Sequence, residues 1–270
     1  MAGALARGGV RIVATVEGRS ARTELLAASA SIELLPDLRA VVREAAVVLS
    51  IVPPEVASAV AADVARVAAE LGVAPLFADL NAIAPETARG LAQNGLELVD
   101  GSISGPPPLR EGTTRVYLSG PRADEIAALP FEGVARIVVG GEVGSASAVK
   151  MSTASVYKGT SALLAQALRA AHANGVLVHV LDDLRTAAPE LVRTVERRLG
   201  MAASKSGRYV GEMHEIAATQ AAAGLTPALF EAIAEIYESM ARTPLACASP
   251  EDVPTDASLE RLLDDLRPRE

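Results

Sequence analysis

Residues 46–52 read AVVLSIV, an almost wholly apolar run, and Pro53-Pro54 follow directly. Such a run is typical of a strand buried on both faces of a parallel sheet. Other strand-like runs lie at 10–16, 73–80, 96–100, 115–118 and 136–139. Alanine-rich segments with helical spacing lie between the earlier runs, at 56–71 and 85–93. This alternation predicts a doubly wound α/β domain that ends near Gly141.

The second half of the sequence has helical patterns and no convincing strand. Helical spacing runs through 145–174, 189–199, 211–223, 227–242 and 257–266, whereas 176–181 is ambiguous. The polar segment 248–256 contains two prolines and predicts a loop. We therefore predict a Rossmann-type parallel sheet over residues 1–141 and an all-α domain over residues 142–270.

Composition narrows the class of protein. Of the 270 residues 50% are hydrophobic and 21% are charged, which predicts a folded chain with a substantial core. The net charge of −8 argues against a nucleic-acid partner. No apolar stretch is long enough for a transmembrane helix, and the N-terminal one is too short for a signal peptide. A single cysteine, Cys247, gives no disulfide or cysteine zinc site, so we expect a cytoplasmic protein without a metal.

The turn after the first strand-like run carries a candidate cofactor contact. In a doubly wound domain, the end of the second strand faces the adenosine ribose of a dinucleotide. Glu17 alone would favour the free 2′-hydroxyl of NAD, whereas Arg19 and Ser20 offer a cation and a hydroxyl to the 2′-phosphate of NADP. We interpret this turn as favouring NADP over NAD. A solvated turn with surface arginines is the alternative.

Two strand ends place candidate residues at the carboxyl edge of the sheet, where ligands bind in this class of fold. Val52-Pro53-Pro54 forms a rigid turn that is poor in N–H groups, and Asn81 brings an amide to the same edge one strand later. In the alternative interpretation, the prolines only begin helices and Asn81 only satisfies a turn.

The segment 102–108 combines serines, a glycine and three prolines. A loop of this kind exposes backbone N–H and hydroxyl groups in a fixed arrangement, which suits a carboxylate. It predicts a substrate with an acidic group. The same composition also occurs in ordinary loops between strands.

Lys150 is the candidate proton-transfer residue. It lies about one and a half turns into a predicted helix whose start is rich in glycine and other small residues, 140–148. A lone lysine on such a helix is usually solvated. At a hinge between two domains it would instead face a cleft, where partial desolvation suits it to proton transfer.

In order and spacing, these segments resemble the β-hydroxyacid dehydrogenase superfamily, the relatives of 6-phosphogluconate and 3-hydroxyisobutyrate dehydrogenases. The resemblance rests on the Val-Pro-Pro strand end, DLNAIAP at 79–85, DGSISGPP at 100–107 and a G-x-x-G-x-x-x-x-x-K pattern ending at Lys150. The tail at 211–246 is similar to a subgroup with a short helical C-terminal domain. The resemblance implies the following contacts: Arg19 and Ser20 with the NADP phosphate; Val52, Pro53, Pro54 and Asn81 with the nicotinamide side; Ser104, Gly105 and Pro106 with the substrate; and Lys150 as general acid/base.

The sequence departs from the family pattern in two places. The family commonly has asparagine one turn after the lysine, where this chain has Ala154, which suggests a different substrate; Ser155 and Lys158 are possible substitutes. The family's first strand and the first two glycines of Gly-x-Gly-x-x-Gly have no counterpart before Ala2. Either the start is assigned too late, or the cofactor site is damaged. That strand lies in the middle of the family's sheet, so its loss should expose the edges of both neighbouring strands.

The leading hypothesis is an NADP-dependent oxidoreductase acting on a small hydroxy acid or a related carbonyl or imine compound. The alternative is a non-redox binding module or acid/base catalyst. We expect a homodimer formed through the helical half. Three other candidates are weaker: His172 and His179 lack an acidic partner at catalytic spacing, and Cys247 is expected to be inert packing. His214, beside Glu215, could border the cleft.

Overall fold

The computed structural model describes residues 1–108, 112–247 and 258–267. The chain divides into two compact units, Met1–Met151 and Ser152–Glu270. The division falls somewhat later than the predicted domain boundary at Gly141, inside a helix that begins at Ser145. The loop predicted at 248–256 lies outside the described residues.

The first unit is built on two sheets. The described strands are β1 (Val13–Ala14), β2 (Glu33–Leu34), β3 (Val47–Ser50), β4 (Leu76–Asp79), β5 (Leu98–Ser104), β6 (Thr114–Ser119) and β7 (Val134–Gly140). Strands β1 and β2 form a parallel pair, and the other five form one sheet in the order β3-β4-β5-β6-β7. The predicted α/β class is therefore confirmed.

One pair of strands departs from the predicted parallel arrangement. Strand β6 runs antiparallel to β5, whereas β3, β4 and β5 are mutually parallel and β7 is parallel to β6. Only residues 105–113 connect β5 to β6, and a crossover to a parallel strand needs a dozen residues or more. The short connection therefore reverses the chain direction.

Helices cover both faces of the five-stranded sheet. They are α1 (Ala2–Arg7), α2 (Ala21–Ser29), α3 (Leu38–Glu44), α4 (Pro54–Leu71), α5 (Pro85–Leu91) and α6 (Ala123–Ala127). Leu76 and Ala78 of β4 pack in one cluster with Leu5 of α1 and Ile126 of α6. Phe77, between them in sequence, packs in a second cluster that includes Ala61 of α4. Burial on both faces explains why these strands read as continuous apolar runs.

The sheet is interrupted between β1 and β3. Among the described residues, β1 pairs only with β2 and β3 pairs only with β4, so each has an open edge. Ile12, just before β1, and Leu49 of β3 nevertheless pack against the same apolar cluster as Leu5. Only Val13 and Ala14 of the predicted strand at 10–16 are paired, and their partners are the two residues of β2.

The second unit is helical throughout its described residues, as the sequence predicts. Helix α7 (Ser145–Ala173) runs into it and is followed by α8 (Leu177–Ala187), α9 (Pro189–Val192), α10 (Val195–Ala203), α11 (Ser206–Ala222), α12 (Ala228–Ala241) and α13 (Leu259–Asp265). The ambiguous segment 176–181 is helical. The single helix expected at 189–199 is wrong: it is broken into α9 and α10 around Thr194, which has a non-helical ψ of 31°.

Candidate cofactor and substrate site

Three polar side chains lie in one row across the central strands. The sheet register pairs Ser50 with Asp79 and Asp79 with Asp100. All three are buried, and among the described residues no buried side-chain nitrogen or oxygen lacks a hydrogen-bond partner. Burying a polar group in an apolar strand costs free energy unless the group forms hydrogen bonds. The hydrogen bonds of these three side chains therefore determine the local structure of this part of the sheet.

Asn81 ties the ends of β3 and β4 together. Its side-chain amide nitrogen donates to Ser50 Oγ at 3.0 Å and to Asp79 Oδ2 at 2.6 Å, and its backbone N–H donates to Asp79 Oδ1 at 3.0 Å. Its side-chain oxygen accepts the backbone N–H of Val52 at 2.6 Å. Asn81 therefore uses its polar atoms inside the protein, where it fixes the turn that begins at Val52.

The residues of the proline turn that Asn81 fixes differ in their exposure to solvent. Pro53 is exposed and Val52 is half-buried, whereas Pro54 is buried at the first position of α4. Proline suits that position because its missing N–H would have no partner inside the helix. Val52 and Pro53 are therefore the accessible residues of this strand end.

Burial raises the pKa of the Asp79 carboxyl group. Desolvation raises its pKa to about 6, the hydrogen bonds from Asn81 oppose the shift, and the nearby Asp100 carboxylate adds to it. At neutral pH the side chain is ionised but close to its titration range.

Asp100, which the sequence did not single out, is the centre of a second network. One carboxylate oxygen, Oδ2, accepts from the backbone N–H groups of Gly144 at 2.9 Å and Ser147 at 3.1 Å, and from Ser119 Oγ at 2.8 Å. The other, Oδ1, accepts from Ser147 Oγ at 2.6 Å. The sequence feature that could have identified Asp100 is the presence of an acidic residue inside an apolar strand-like run.

Lys150 lies against the carboxyl end of β5. Its Nζ donates to the backbone oxygen of Ile103 at 2.8 Å, and its side chain is part-buried. Ile103 immediately precedes Ser104, so the structure places Lys150 beside the segment predicted to hold the substrate. A second signal for this residue is its rarity: only Lys150, Lys158 and Lys205 are lysines among the 25 basic Lys and Arg residues.

The predicted substrate segment has a constrained backbone. Gly105 has a φ of +103°, and a Cβ there would lie 2.3 Å from the backbone oxygen of Thr113, so only glycine fits. Thr114 Oγ1 donates to the backbone oxygen of Pro106 at 2.6 Å. Ser104 is half-buried, and Gly105 and Pro106 are exposed.

Arg19 and Ser20 lie at the predicted turn after β1, and both are exposed. Ser20 begins α2, and its Oγ accepts from the backbone N–H of Thr23 at 3.4 Å. The hydrogen bonds of Asn81 described above go to Ser50, Asp79 and Val52 and not to this turn. The structure thus brings Val52 together with Asn81, and Lys150 next to Ser104, whereas Arg19 and Ser20 form a separate group.

The second unit contains a charged aromatic cluster that the sequence did not reveal. Lys158 of α7 pairs with Glu212 of α11, both largely buried, and its Nζ lies 4.2 Å from the ring centroid of Tyr209. The Tyr237 hydroxyl of α12 donates to the backbone oxygen of Lys158 at 2.8 Å, and burial raises the pKa of that phenol well above its ordinary value. Lys158, suggested as a substitute for the family asparagine, is therefore bound to Glu212.

The weaker candidates have ordinary surroundings. His172 Nε2 lies 3.0 Å from Asp264 Oδ1, an acidic partner 92 residues away in sequence. Cys247 is exposed, which contradicts the expected packing role. His179 and His214 are exposed. The described ranges contain no group of His, Cys, Asp and Glu able to hold a metal ion and no helix long and apolar enough to cross a membrane.

A mainly parallel sheet with helices on both faces, polar residues at its carboxyl edge and a following helical unit defines a dinucleotide-binding type of α/β protein. Similar proteins are known. The conserved protein MTH1747 of unknown function, whose structure has been described as similar to 3-hydroxyacid dehydrogenases, is 31% identical over 89% of this chain and 91% of its own, with a TM-score of 0.65. This chain belongs to the β-hydroxyacid dehydrogenase superfamily.

Two further solved structures and one family model also match this chain. A conserved hypothetical protein from Sinorhizobium meliloti 1021 is 28% identical over 98% of this chain and 90% of its own, with a TM-score of 0.64. The Mycobacterium tuberculosis 3-hydroxyisobutyrate dehydrogenase, at 20% identity, covers 98% of this chain and 94% of its own with a TM-score of 0.66 and shares the fold. Residues 171–240 match a domain of unknown function, DUF1932.

Proposed function

We propose that this protein is an NADP-dependent oxidoreductase that acts on a small hydroxy acid or a related carbonyl or imine compound. The observation that carries the proposal is the position of Lys150, whose Nζ is held at the backbone oxygen of Ile103, next to Ser104 and Gly105. A proton-transfer group thus lies beside the segment best suited to an acidic substrate. Membership of a dehydrogenase superfamily supports the reaction class.

The residues present fit two parts of the cofactor. Arg19 is exposed next to Ser20, which suits the 2′-phosphate of NADP, and the exposed Pro53 and half-buried Val52 suit the nicotinamide side. Asn81 contributes by fixing the Val52 turn.

Lys150 would transfer the proton, and the substrate segment would bind the acid group of the substrate. When bound, the nicotinamide supplies the hydride acceptor or donor. In oxidation, neutral Lys150 Nζ takes the proton of the substrate hydroxyl; in reduction, the ammonium form returns a proton to the carbonyl oxygen or imine nitrogen. The N–H and hydroxyl groups around Ser104 and Gly105 orient the substrate carboxylate.

The test is a titration of NADPH, with NADH beside it, into the purified chain, followed by nicotinamide fluorescence. We expect micromolar binding that favours NADPH, and a loss of that preference in Arg19→Ala. The exposed Arg22→Ala is the matched control and should keep the preference. Absence of binding to either nucleotide would overturn the proposal for this chain.

The variant Lys150→Ala tests the chemical step. We expect turnover of a hydroxy-acid substrate to fall by roughly 10²–10⁴-fold, the usual contribution of a general acid or base. NADPH affinity should change little, and Lys205→Ala should leave turnover unchanged. Near-normal turnover in Lys150→Ala would assign this lysine to the solvated surface.

The interrupted sheet favours one second candidate, a non-redox binding module or acid/base catalyst that uses Lys150 without a nucleotide. The open edges of β1 and β3 are the specific observation behind it. Binding of a small carboxylate in the absence of any nucleotide effect would select this candidate.

We also propose that the protein is a cytoplasmic homodimer. The single cysteine is consistent with a reducing compartment. Val156, Tyr157 and Leu163 on α7 are 65%, 68% and 67% exposed, an apolar stripe of the kind that marks a subunit interface.

A further inference from the structure

We infer that Asp100 is a positioning residue for Lys150, holding the first turn of α7 against strands β5 and β6. The inference rests on the proposed function insofar as Lys150 performs proton transfer. It adds a residue that contacts neither the proposed cofactor groups nor the substrate segment.

The Asp100 carboxylate is fully buried and is surrounded by donors from the start of α7. It accepts the N–H of Gly144, immediately before the helix, and the N–H of Ser147 in the first turn; backbone donors at a helix start have no partner inside the helix. A negative charge at this end also interacts favourably with the helix dipole. Asp100 therefore satisfies both the hydrogen bonds and the charge of the helix start.

Three further hydrogen bonds hold the same turn. Ser119 Oγ, which donates to Asp100, also accepts the backbone N–H of Ala146 at 3.0 Å. Ser102 Oγ donates to the backbone oxygen of Ala146 at 2.9 Å, and Ser147 Oγ donates to Asp100 Oδ1. The helix start is thus fixed from two strands and not by its own capping residue.

Lys150 is one turn beyond Ser147, and Ile103 is three residues beyond Asp100 on β5. Asp100 and Ile103 on one strand therefore hold Ser147 and Lys150 on one helix. A helical turn and a paired strand keep their shape over three residues, so the position of Lys150 Nζ depends on the tie between Asp100 and Ser147. A merely structural Asp100 would instead stabilise the unit as a whole.

Because the sequence contains few lysines, a positioning role of Asp100 can be distinguished by experiment from a general structural role. Lys150, Lys158 and Lys205 are the only lysines, so limited acetylation followed by mass spectrometry reports each amine separately. Lys158 and Lys205 lie in the second unit and serve as internal references. The measurement requires neither substrate nor nucleotide.

The principal variant is Ser147→Ala, because alanine is the best helix former and the helix should persist. It removes the Ser147 Oγ bond to Asp100. We expect acetylation of Lys150, relative to Lys205, to rise roughly fivefold, the factor that corresponds to one net hydrogen bond. The exposed Ser152→Ala, on the same helix, should leave the ratio unchanged.

Two substitutions of Asp100 separate its hydrogen bonds from its volume. Asp100→Ala removes every acceptor and should raise the Lys150 ratio further than Ser147→Ala. Asp100→Asn can place its amide oxygen where Oδ2 lies, which keeps three of the four bonds, and its amide nitrogen can donate to Ser147 Oγ in place of the fourth, so the ratio should stay close to that of the wild type. If Asp100→Ala does not fold, Ser147→Ala and Asp100→Asn still decide the question.

An unchanged Lys150 ratio in Ser147→Ala would overturn the inference. So would an equal rise at all three lysines, since that indicates a general loosening of the fold. Failure of the proposed function is a separate outcome. If the wild type binds no NADPH but Ser147→Ala still raises acetylation of Lys150 selectively, the positioning role of Asp100 holds and the dehydrogenase function does not.

Discussion

At the scale of single residues, Asp79 carries the largest perturbation that has a direct consequence for stability. The residue is 1% exposed, and burial raises the pKa of its carboxyl group to about 6 from 3.8. The hydrogen bonds from Asn81 stabilise the charged form but do not offset the desolvation. A buried acid with a raised pKa reduces the stability of the folded state wherever it must ionise.

The sign of the pH dependence follows from this shift. Below about pH 4, Asp79 is protonated in both the folded and the unfolded chain, so its ionisation costs nothing. Between about pH 4 and 6 the unfolded chain ionises first, and stability is lost as the pH rises. Above that range the loss is complete, on the order of 3 kcal/mol for a shift of this size.

We therefore predict that Asp79→Asn gains stability relative to the wild type, by on the order of 3 kcal/mol, as the pH rises from 4 to 7. Urea unfolding of both proteins at several pH values measures the difference, and the common titration of surface carboxylates cancels. The exposed Asp183→Asn provides the control, with a difference expected to be nearly constant. A constant difference for Asp79→Asn as well would refute the burial argument.

At the scale of elements, the second unit joins three helices through one buried ion pair. Lys158 on α7 and Glu212 on α11 have side chains 13% and 6% exposed, and Tyr237 on α12 donates to the backbone of Lys158. Tyr209 and Tyr237 meet edge to face with ring centroids 5.2 Å apart. Removing one charge leaves the other buried without its partner.

We predict that Glu212→Gln destabilises the protein by about 3 kcal/mol, the usual effect of breaking a buried pair. The double substitution Lys158→Met with Glu212→Leu should recover most of the loss, because no buried charge is then left unpaired; Arg208, the second partner of Glu212, is exposed. Urea unfolding measures both, and the exposed Glu235→Gln on α12 is the control. Equal losses in the single and double variants would show that packing, and not charge, dominates at this position.

At the scale of the whole molecule, the apolar stripe on α7 predicts self-association. We expect sedimentation at micromolar concentration to give twice the chain mass of 27.8 kDa. Leu163→Glu should shift the equilibrium toward the monomer, because a charge would be buried in the interface. Gln166→Glu, an exposed polar position on the same helix, tests whether added charge alone has this effect. A monomeric wild type would remove the dimer from the proposal.

The sequence predicted the α/β class and the helical second half because long apolar runs and helical spacing are local signals. It did not predict that β6 is antiparallel to β5, since the predicted strands at 96–100 and 115–118 left enough residues between them for a crossover, whereas β5 extends to Ser104. Nor could it predict partners distant in sequence, such as His172 with Asp264 or Lys158 with Glu212.

The same limit applies within the candidate site. Asn81 follows β4 as expected, but only the tertiary structure reveals that its amide is occupied by Ser50, Asp79 and Val52. Asp100 was part of a recognised segment, yet its role depends on Ser119 and on a helix start more than forty residues away. Motifs located the edge of the sheet, and buried hydrogen bonds determine which side chains remain accessible there.

The gap between β1 and β3 also has a consequence for folding cooperativity. Backbone ladders couple neighbouring strands, and here that coupling is missing, so residues 10–36 are connected to the rest of their unit through side-chain packing such as that of Ile12 and Leu5. Segments with few ladder bonds open locally at a lower free energy than the global unfolding reaction. The turn with Arg19 and Ser20 lies in this segment. A ligand that binds there would also raise the free energy of local opening, so that the unit unfolds in one cooperative transition.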